Sequence, residues 1–214
     1  MVKYINLKKS YGKSKDKALT PDERDKLKNY IKNARDRALF FVMTYGGLRV
    51  GEVEQLRFEW LKKKVNEKNK KTYLTIHIPE KTKDIRNKKK IWQPKTKRER
   101  YVYIFDPEVY NEIYIYLQMN EDWFNISQRQ IRNIVYKWGK LINKKISPHG
   151  LRATAQNYLK YELGLRIEVI SYILGHKCVD TTQKYYDTRD KAQVEFYLMN
   201  TIYNENNNNQ NGNI

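Results

Sequence analysis

Leu174-Gly175-His176-Lys177-Cys178-Val179-Asp180-Thr181-Thr182-Gln183-Lys184-Tyr185-Tyr186 sets a histidine nine residues before a tyrosine. Two further stretches stand upstream, Ser147-Pro148-His149-Gly150-Leu151-Arg152 and Gly47-Leu48-Arg49-Val50-Gly51-Glu52. Two arginines, two histidines and a tyrosine in this order form one consistent set. Arginine forks hold phosphate bidentately and keep their charge at working pH. A tyrosine oxygen is a nucleophile that forms covalent intermediates. The set has what is needed to grip a phosphodiester and attack it.

Charge points the same way. Lys and Arg number 43 against 24 Asp and Glu, a formal net charge of +19 over 214 residues. So large an excess repels itself unless a polyanion shares it, and nucleic acid is the expected partner. Residues 61–100 hold 16 of the cations and four acids, a net +12 of the +19. That concentration predicts a binding surface, with Lys88-Lys89-Lys90 also readable as a solvated loop. The single cysteine, Cys178, excludes an internal disulfide and fits a reducing compartment. No apolar run has the length of a membrane span and no signal-peptide core opens the chain, so a cytoplasmic protein is expected, in a host cytoplasm or nucleoid if viral or plasmid-borne.

The periodicities predict an α+β domain, mainly α-helical, with a small antiparallel three-stranded sheet. Residues 1–19 read as a basic arm or linker, 20–203 as the folded domain and 204–214 as an Asn-rich disordered tail. Thr20-Pro21-Asp22-Glu23 starts a helix with a capping box. Leu27, Ile31, Ala34, Ala38, Phe41 and Tyr45 continue it as one apolar face up to Gly46-Gly47. A second helix begins near Val50 and turns Val53 and Leu56 inward. Residues 72–79 and 101–105 read as strands by their β-branched and aromatic content, and Lys90-Ile91-Trp92-Gln93 as a candidate third. Helices follow from Asp106-Pro107 and from Ser127, the latter with the stripe Ile131, Ile134, Val135, Trp138 and Leu141. Others are expected over 149–162, 166–174 and 190–203. Ala192, Val194, Tyr197, Leu198 and Ile202 give the last one an apolar face.

These motifs, over roughly residues 20–190, resemble the catalytic domain of the tyrosine recombinases, the family of phage integrases and Xer-type resolvases. Gly47 to Val53 resembles the first arginine motif, His149 to Arg152 the His-x-x-Arg box, Leu174-Gly175-His176 the second histidine motif and Thr181 to Tyr185 the tyrosine motif. The resemblance implies the DNA breaking-rejoining fold and site-specific, metal-independent recombination through a covalent 3′-phosphotyrosyl intermediate, as in integrases of mobile genetic elements. It implies no cofactor and no metal. It implies double-stranded DNA as partner, with dimers or tetramers forming on it. The isolated chain is expected to be mainly monomeric.

By the same resemblance, Tyr185 is the nucleophile, with Tyr186 one residue out of register. Arg49 and Arg152 clamp the phosphate, His149 assists proton transfer at the tyrosine, and His176 donates to the scissile phosphate. Glu52 is an orienting acid. The general acid is a lysine on a turn of the small sheet. Lys95, in Lys95-Thr96-Lys97-Arg98-Glu99-Arg100, is favoured over Lys81, because Arg100 opens the following strand at the family's offset. His77 matches no motif and reads as structural. Most family members carry an N-terminal core-binding domain, and the resemblance makes this chain a catalytic domain, as a fragment or a minimal enzyme. A type IB topoisomerase-like enzyme and a non-catalytic DNA-binding relative are the alternatives.

Overall fold

A computed structural model describes residues 17–67, 69–120, 124–175 and 198. Helix α1 runs Pro21–Tyr30 and opens with the expected capping box: Thr20 Oγ1 accepts from the Glu23 backbone N–H, and Glu23 accepts from that of Thr20. The expected single long helix is instead two. Ile31 is extended, with ψ 101°, and α2, Ala34–Thr44, starts afresh from Asn33, whose side chain accepts from the Asp36 backbone N–H. Arg37 Nη1 donates to the Lys28 carbonyl at 2.6 Å, satisfying an acceptor that a continuous helix would have used itself. The break turns α2 into the central helix. Ala38 to Thr44 are all buried, and Phe40 meets Trp138 edge-on at 5.5 Å.

Helix α3, Val50–Gln55, follows and buries Val53, with Leu56 also inside. A 3₁₀ turn, Phe58–Trp60, leads into β1, Leu61–Val65. β2, Thr72–Ile78, is the middle strand of an antiparallel sheet in the order β1, β2, β5, with β5 at Arg100–Ile104. The third strand is therefore Leu61–Val65, not the segment at 90–93. Its lysines hide it from a reading of strand propensity, because it is an edge strand with Lys62, Lys63 and Val65 exposed. Ile91–Trp92 (β4) pairs instead with Thr82–Lys83 (β3) in a separate two-stranded ribbon inserted between β2 and β5.

Helix α4, Pro107–Met119, is capped by Asp106 and buries Val109, Ile113 and Leu117. Helix α5, Gln128–Leu141, opens with the expected Ser127–Gln130 capping box. Ile131, Val135 and Trp138 of its stripe are buried, whereas Leu141 in the last turn is half exposed. Helix α6, Pro148–Asn157, passes into a π turn at Tyr158–Glu162, and α7, Ile167–Leu174, ends at Gly175.

Two packing relations place the site. Helix α2 packs on α4 and α6, and α7 packs on β5. Ala18 and Leu19, from the end of the expected arm, dock on the domain: Leu19 N–H donates to Thr154 Oγ1 at 2.8 Å, and Lys144 Nζ donates to the Ala18 carbonyl at 2.7 Å. His176, Cys178, Tyr185 and Tyr186 lie outside the described residues, as do the tail and nearly all of the expected helix 190–203. Leu198, from that helix, is described and buried in the core. Among the described residues no helix is long and apolar enough to cross a membrane.

Candidate functional site

The sequence motifs around Arg49, Arg152 and Gly175 meet at one place. Arg49 is the N-cap residue of α3. Glu52, one turn on, reaches back to the Arg49 backbone N–H at 2.7 Å and accepts from Arg49 Nη1 at 3.0 Å. The other fork nitrogen, Nη2, donates to the Gly175 carbonyl at 2.6 Å. Arg152 lies on α6 and reaches the neighbouring backbone: Nη1 donates to the Gly47 carbonyl and Nη2 to the Leu174 carbonyl. One arginine thus ties α3 to the end of α7, and the other ties α6 to both the turn before α3 and the end of α7.

That turn requires glycine. Gly47 has φ +63°, and a Cβ there would come within 2.4 Å of Leu174 Cδ2. Gly175 caps α7 in the left-handed conformation, and a Cβ on it would meet Arg100 Cδ at 2.8 Å. The glycines of two motifs therefore let three backbone segments close around the guanidinium groups.

Arg100 is the member that the sequence reading used only as a landmark. It opens β5 opposite Ile78, and its side chain is buried. Nη2 donates to Glu52 Oε2 at 2.7 Å, while Nε and Nη1 have no hydrogen-bond partner among the described residues. Glu52, itself buried, therefore serves two guanidinium groups, one per oxygen. The Lys95–Arg100 motif marks the position of Arg100 but gives it no role among the cations of 61–100. The available signal was its place at the start of a strand whose following residues are apolar.

The electrostatics follow from that count. Among the described residues, Arg49 and Arg100 share the carboxylate of Glu52, while Arg152, bonded to backbone carbonyls, feels it only through its charge. Burial, then Arg49 and Arg100, push Arg152 down to about 9, with Glu52 opposing. Burial also lowers Arg100, with Glu52 pulling the other way and Arg49 adding to the fall. The cluster holds more positive charge than its own acid balances, and a dianionic or pentavalent phosphate would supply the missing negative charge.

His149 occupies the first turn of α6, three residues before Arg152, and is exposed. That spacing sets the two on neighbouring positions of one helix surface. Lys95 lies on the turn Pro94–Lys97, closed by a backbone hydrogen bond of 2.9 Å, and is exposed. Lys81 is exposed three residues after Ile78, the partner of Arg100 in the sheet. Both lysines thus leave from the end of the sheet that carries Arg100. His77 stacks on Tyr101 at 4.7 Å and pairs with Glu99 at 3.1 Å, contacts of a surface strand residue. Among the described residues no group of His, Cys, Asp or Glu has the makings of a metal site.

The model of the phage integrase family matches residues 17–192. Tyrosine recombinase XerA of Pyrococcus horikoshii is 29% identical over 180 residues, covering 81% of this chain and 57% of that protein. The crystal structure of XerA recombinase matches with a TM-score of 0.55 at 26% identity, over 84% of this chain and 61% of the other. The XerH site-specific recombinase in a pre-cleavage complex with its difH substrate shares the fold, with a TM-score of 0.57 at 19% identity, over 86% of this chain and 54% of that one. The chain thus spans less than two thirds of the length of each of these relatives.

Proposed function

We propose that this chain, which belongs to the phage integrase family, carries the catalytic apparatus of a site-specific DNA recombinase acting on double-stranded DNA. The observation that carries the reading is the meeting of Arg49, Arg100 and Arg152, two of them bonded to Glu52, at Gly175 and Leu174, just before His176. The names of its relatives support it, since they are tyrosine recombinases.

In the proposed reaction the Tyr185 oxygen attacks the scissile phosphorus. A phosphorus–oxygen bond to tyrosine forms, the bond to the 5′ oxygen breaks, and its electron pair leaves with that oxygen. His149 takes the phenolic proton, and Lys95 gives a proton to the leaving 5′ oxygen. Arg49 and Arg152 hold the non-bridging oxygens, which gain charge in the pentavalent transition state, and His176 donates a further hydrogen bond. Attack of a 5′ hydroxyl on the phosphotyrosine reverses each step and rejoins a strand, so the bond energy is conserved. Arg100 touches no substrate in this scheme. It positions Glu52, which in turn fixes the Arg49 fork. Pairing of two sites calls for self-association on DNA, as dimers or tetramers.

A nicked suicide duplex tests the reading, because loss of the short 5′-hydroxyl fragment traps the intermediate. The parent chain is expected to yield a covalent protein–DNA adduct stable to denaturant. Tyr185→Phe is expected to yield none while retaining non-covalent binding. Absence of an adduct from the parent chain on every nicked duplex of a random-sequence pool overturns the proposal. An adduct from Tyr185→Phe but not from Tyr186→Phe moves the nucleophile by one residue.

A further inference from the structure

We infer that the inserted ribbon, Thr82–Trp92, is a second DNA-docking element that holds a stretch of phosphate backbone apart from the bond being cut. The inference rests on the recombinase reading and specifies how the duplex is held. Residues 81–92 carry Lys81, Lys83, Arg86, Lys88, Lys89 and Lys90 against one acid, Asp84. All six cations are exposed.

Asp84 is engaged inside the ribbon rather than offsetting these charges at the surface. Its Oδ1 accepts from the backbone N–H groups of Arg86 at 2.9 Å and Asn87 at 2.8 Å, shaping the turn. Its Oδ2 accepts from Gln55 Nε2 at 2.8 Å. A two-residue pairing cannot hold a ribbon by itself. Here it is fixed to the end of α3. The buried Gln55 accepts from the Ile85 N–H at 2.9 Å, Arg57 Nη2 donates to the Lys83 carbonyl at 3.0 Å, and Arg86 Nε meets Glu54 Oε1 at 3.3 Å. Trp92 lies against Trp60 with ring centroids 5.9 Å apart.

Solubility alone would need lysines, but no such attachment. The attachment runs to α3, the helix whose N-cap is Arg49, so the ribbon keeps a fixed relation to the arginine cluster. Lysine ammonium groups act as point charges on flexible stems, which suits phosphate-backbone contacts that set register. The partner that offers phosphates both at the cluster and along the ribbon is one continuous duplex.

The test compares two triple variants of the full chain that lose equal charge. Lys88→Gln/Lys89→Gln/Lys90→Gln alters the ribbon. Lys26→Gln/Lys32→Gln/Lys160→Gln alters exposed lysines around α1 and beyond the far end of α6 from Arg152. Affinity for an intact fluorescent duplex is measured across a potassium chloride series. The ribbon variant is expected to bind at least about ten-fold more weakly and to flatten the plot of log affinity against log salt by about two to three units, at roughly 0.9 unit per phosphate contact. The control is expected to keep the parent slope within about one unit.

A ribbon variant with the parent's slope, or a control that shifts as far, overturns the inference. Adduct formation on the nicked duplex separates this from the reading beneath it. If the parent forms the adduct but the slopes do not differ, the ribbon assignment alone falls. If the parent binds no duplex, both fall.

Discussion

Arg100 donates from Nη2 to Glu52 Oε2 at 2.7 Å, and both side chains are almost wholly buried, at 4% and 2% exposure. The pair joins the first residue of β5 to the middle of α3 across 48 positions of sequence. Its partner oxygen holds Arg49. A buried pair of this kind seldom adds much stability over an apolar pair of equal volume, but losing one member leaves an uncompensated charge inside. The arrangement is therefore best understood through what it orients.

Glu52→Gln should destabilise the domain by about 3 kcal/mol or more, because Arg100 then stays buried with no countercharge. Urea denaturation of parent and variant checks this. Glu52→Asp, which keeps the charge but shortens the reach, should recover part of the stability and little of the cleavage rate, since Arg49 would be held in the wrong place. Equal stability of parent and Glu52→Gln would show that Arg100 is not left uncompensated, and an equal cleavage rate would remove the orienting role.

Gly175→Ala should lose at least about 1 kcal/mol from the left-handed conformation alone. It should also displace Arg100, whose Cδ lies 2.8 Å from the new methyl position. Thermal melting reads the first effect. A suicide-substrate rate that falls more than the lost stability accounts for reads the second. A variant with unchanged cleavage would show that the close fit at Gly175 has no bearing on the arginines.

The motif arginines were legible because a residue type, a glycine-bearing neighbour and a spacing coincide at Arg49 and Arg152. Arg100 carries no such signature. Its role comes from the antiparallel register that pairs it with Ile78 and from α7 packing on β5, and both are long-range facts. Edge strand β1 is not legible in the sequence, because Lys62-Lys63-Lys64 reads as a basic loop until it pairs with Leu74 and its neighbours. The break at Ile31 did carry a signal, Asn33 as a cap with Asp36 three residues later. The helical spacing of Leu27, Ile31, Ala34 and Ala38 runs straight through it and masked it. The sequence does not separate Lys95 from Lys81, because the ribbon divides two turns that both lead to the Arg100 end of the sheet.

The choice between those lysines has a chemical test. Lys95→Ala should slow cleavage of an ordinary phosphodiester, and a 5′-bridging sulfur in the substrate should restore the rate, because a thiolate leaves without a proton from a general acid. Lys81→Ala should behave alike on both substrates. The opposite pattern would assign the proton to the turn that directly follows β2.

The surplus charge of the cluster predicts an anion response in the free protein. Sulfate should raise the unfolding temperature more than chloride at matched ionic strength, with about 1.4 kcal/mol gained at ten times its dissociation constant. The sign of the pH dependence follows from Arg152. Its folded-state value is depressed to about 9, so the folded domain holds this proton less firmly than the unfolded chain does. Without an anion, the Arg152 contribution to stability grows as pH rises through that value toward the ordinary arginine range. Bound sulfate favours the charged form, so the sulfate benefit should be full below about pH 9 and shrink above it. Arg152→Ala should abolish most of the benefit and cost on the order of 3 kcal/mol or more in the cleavage barrier, as expected for loss of a transition-state donor. Differential scanning fluorimetry over a sulfate and pH grid gives the first result, and single-turnover cleavage gives the second. A sulfate effect undiminished in Arg152→Ala would place the anion site away from this cluster.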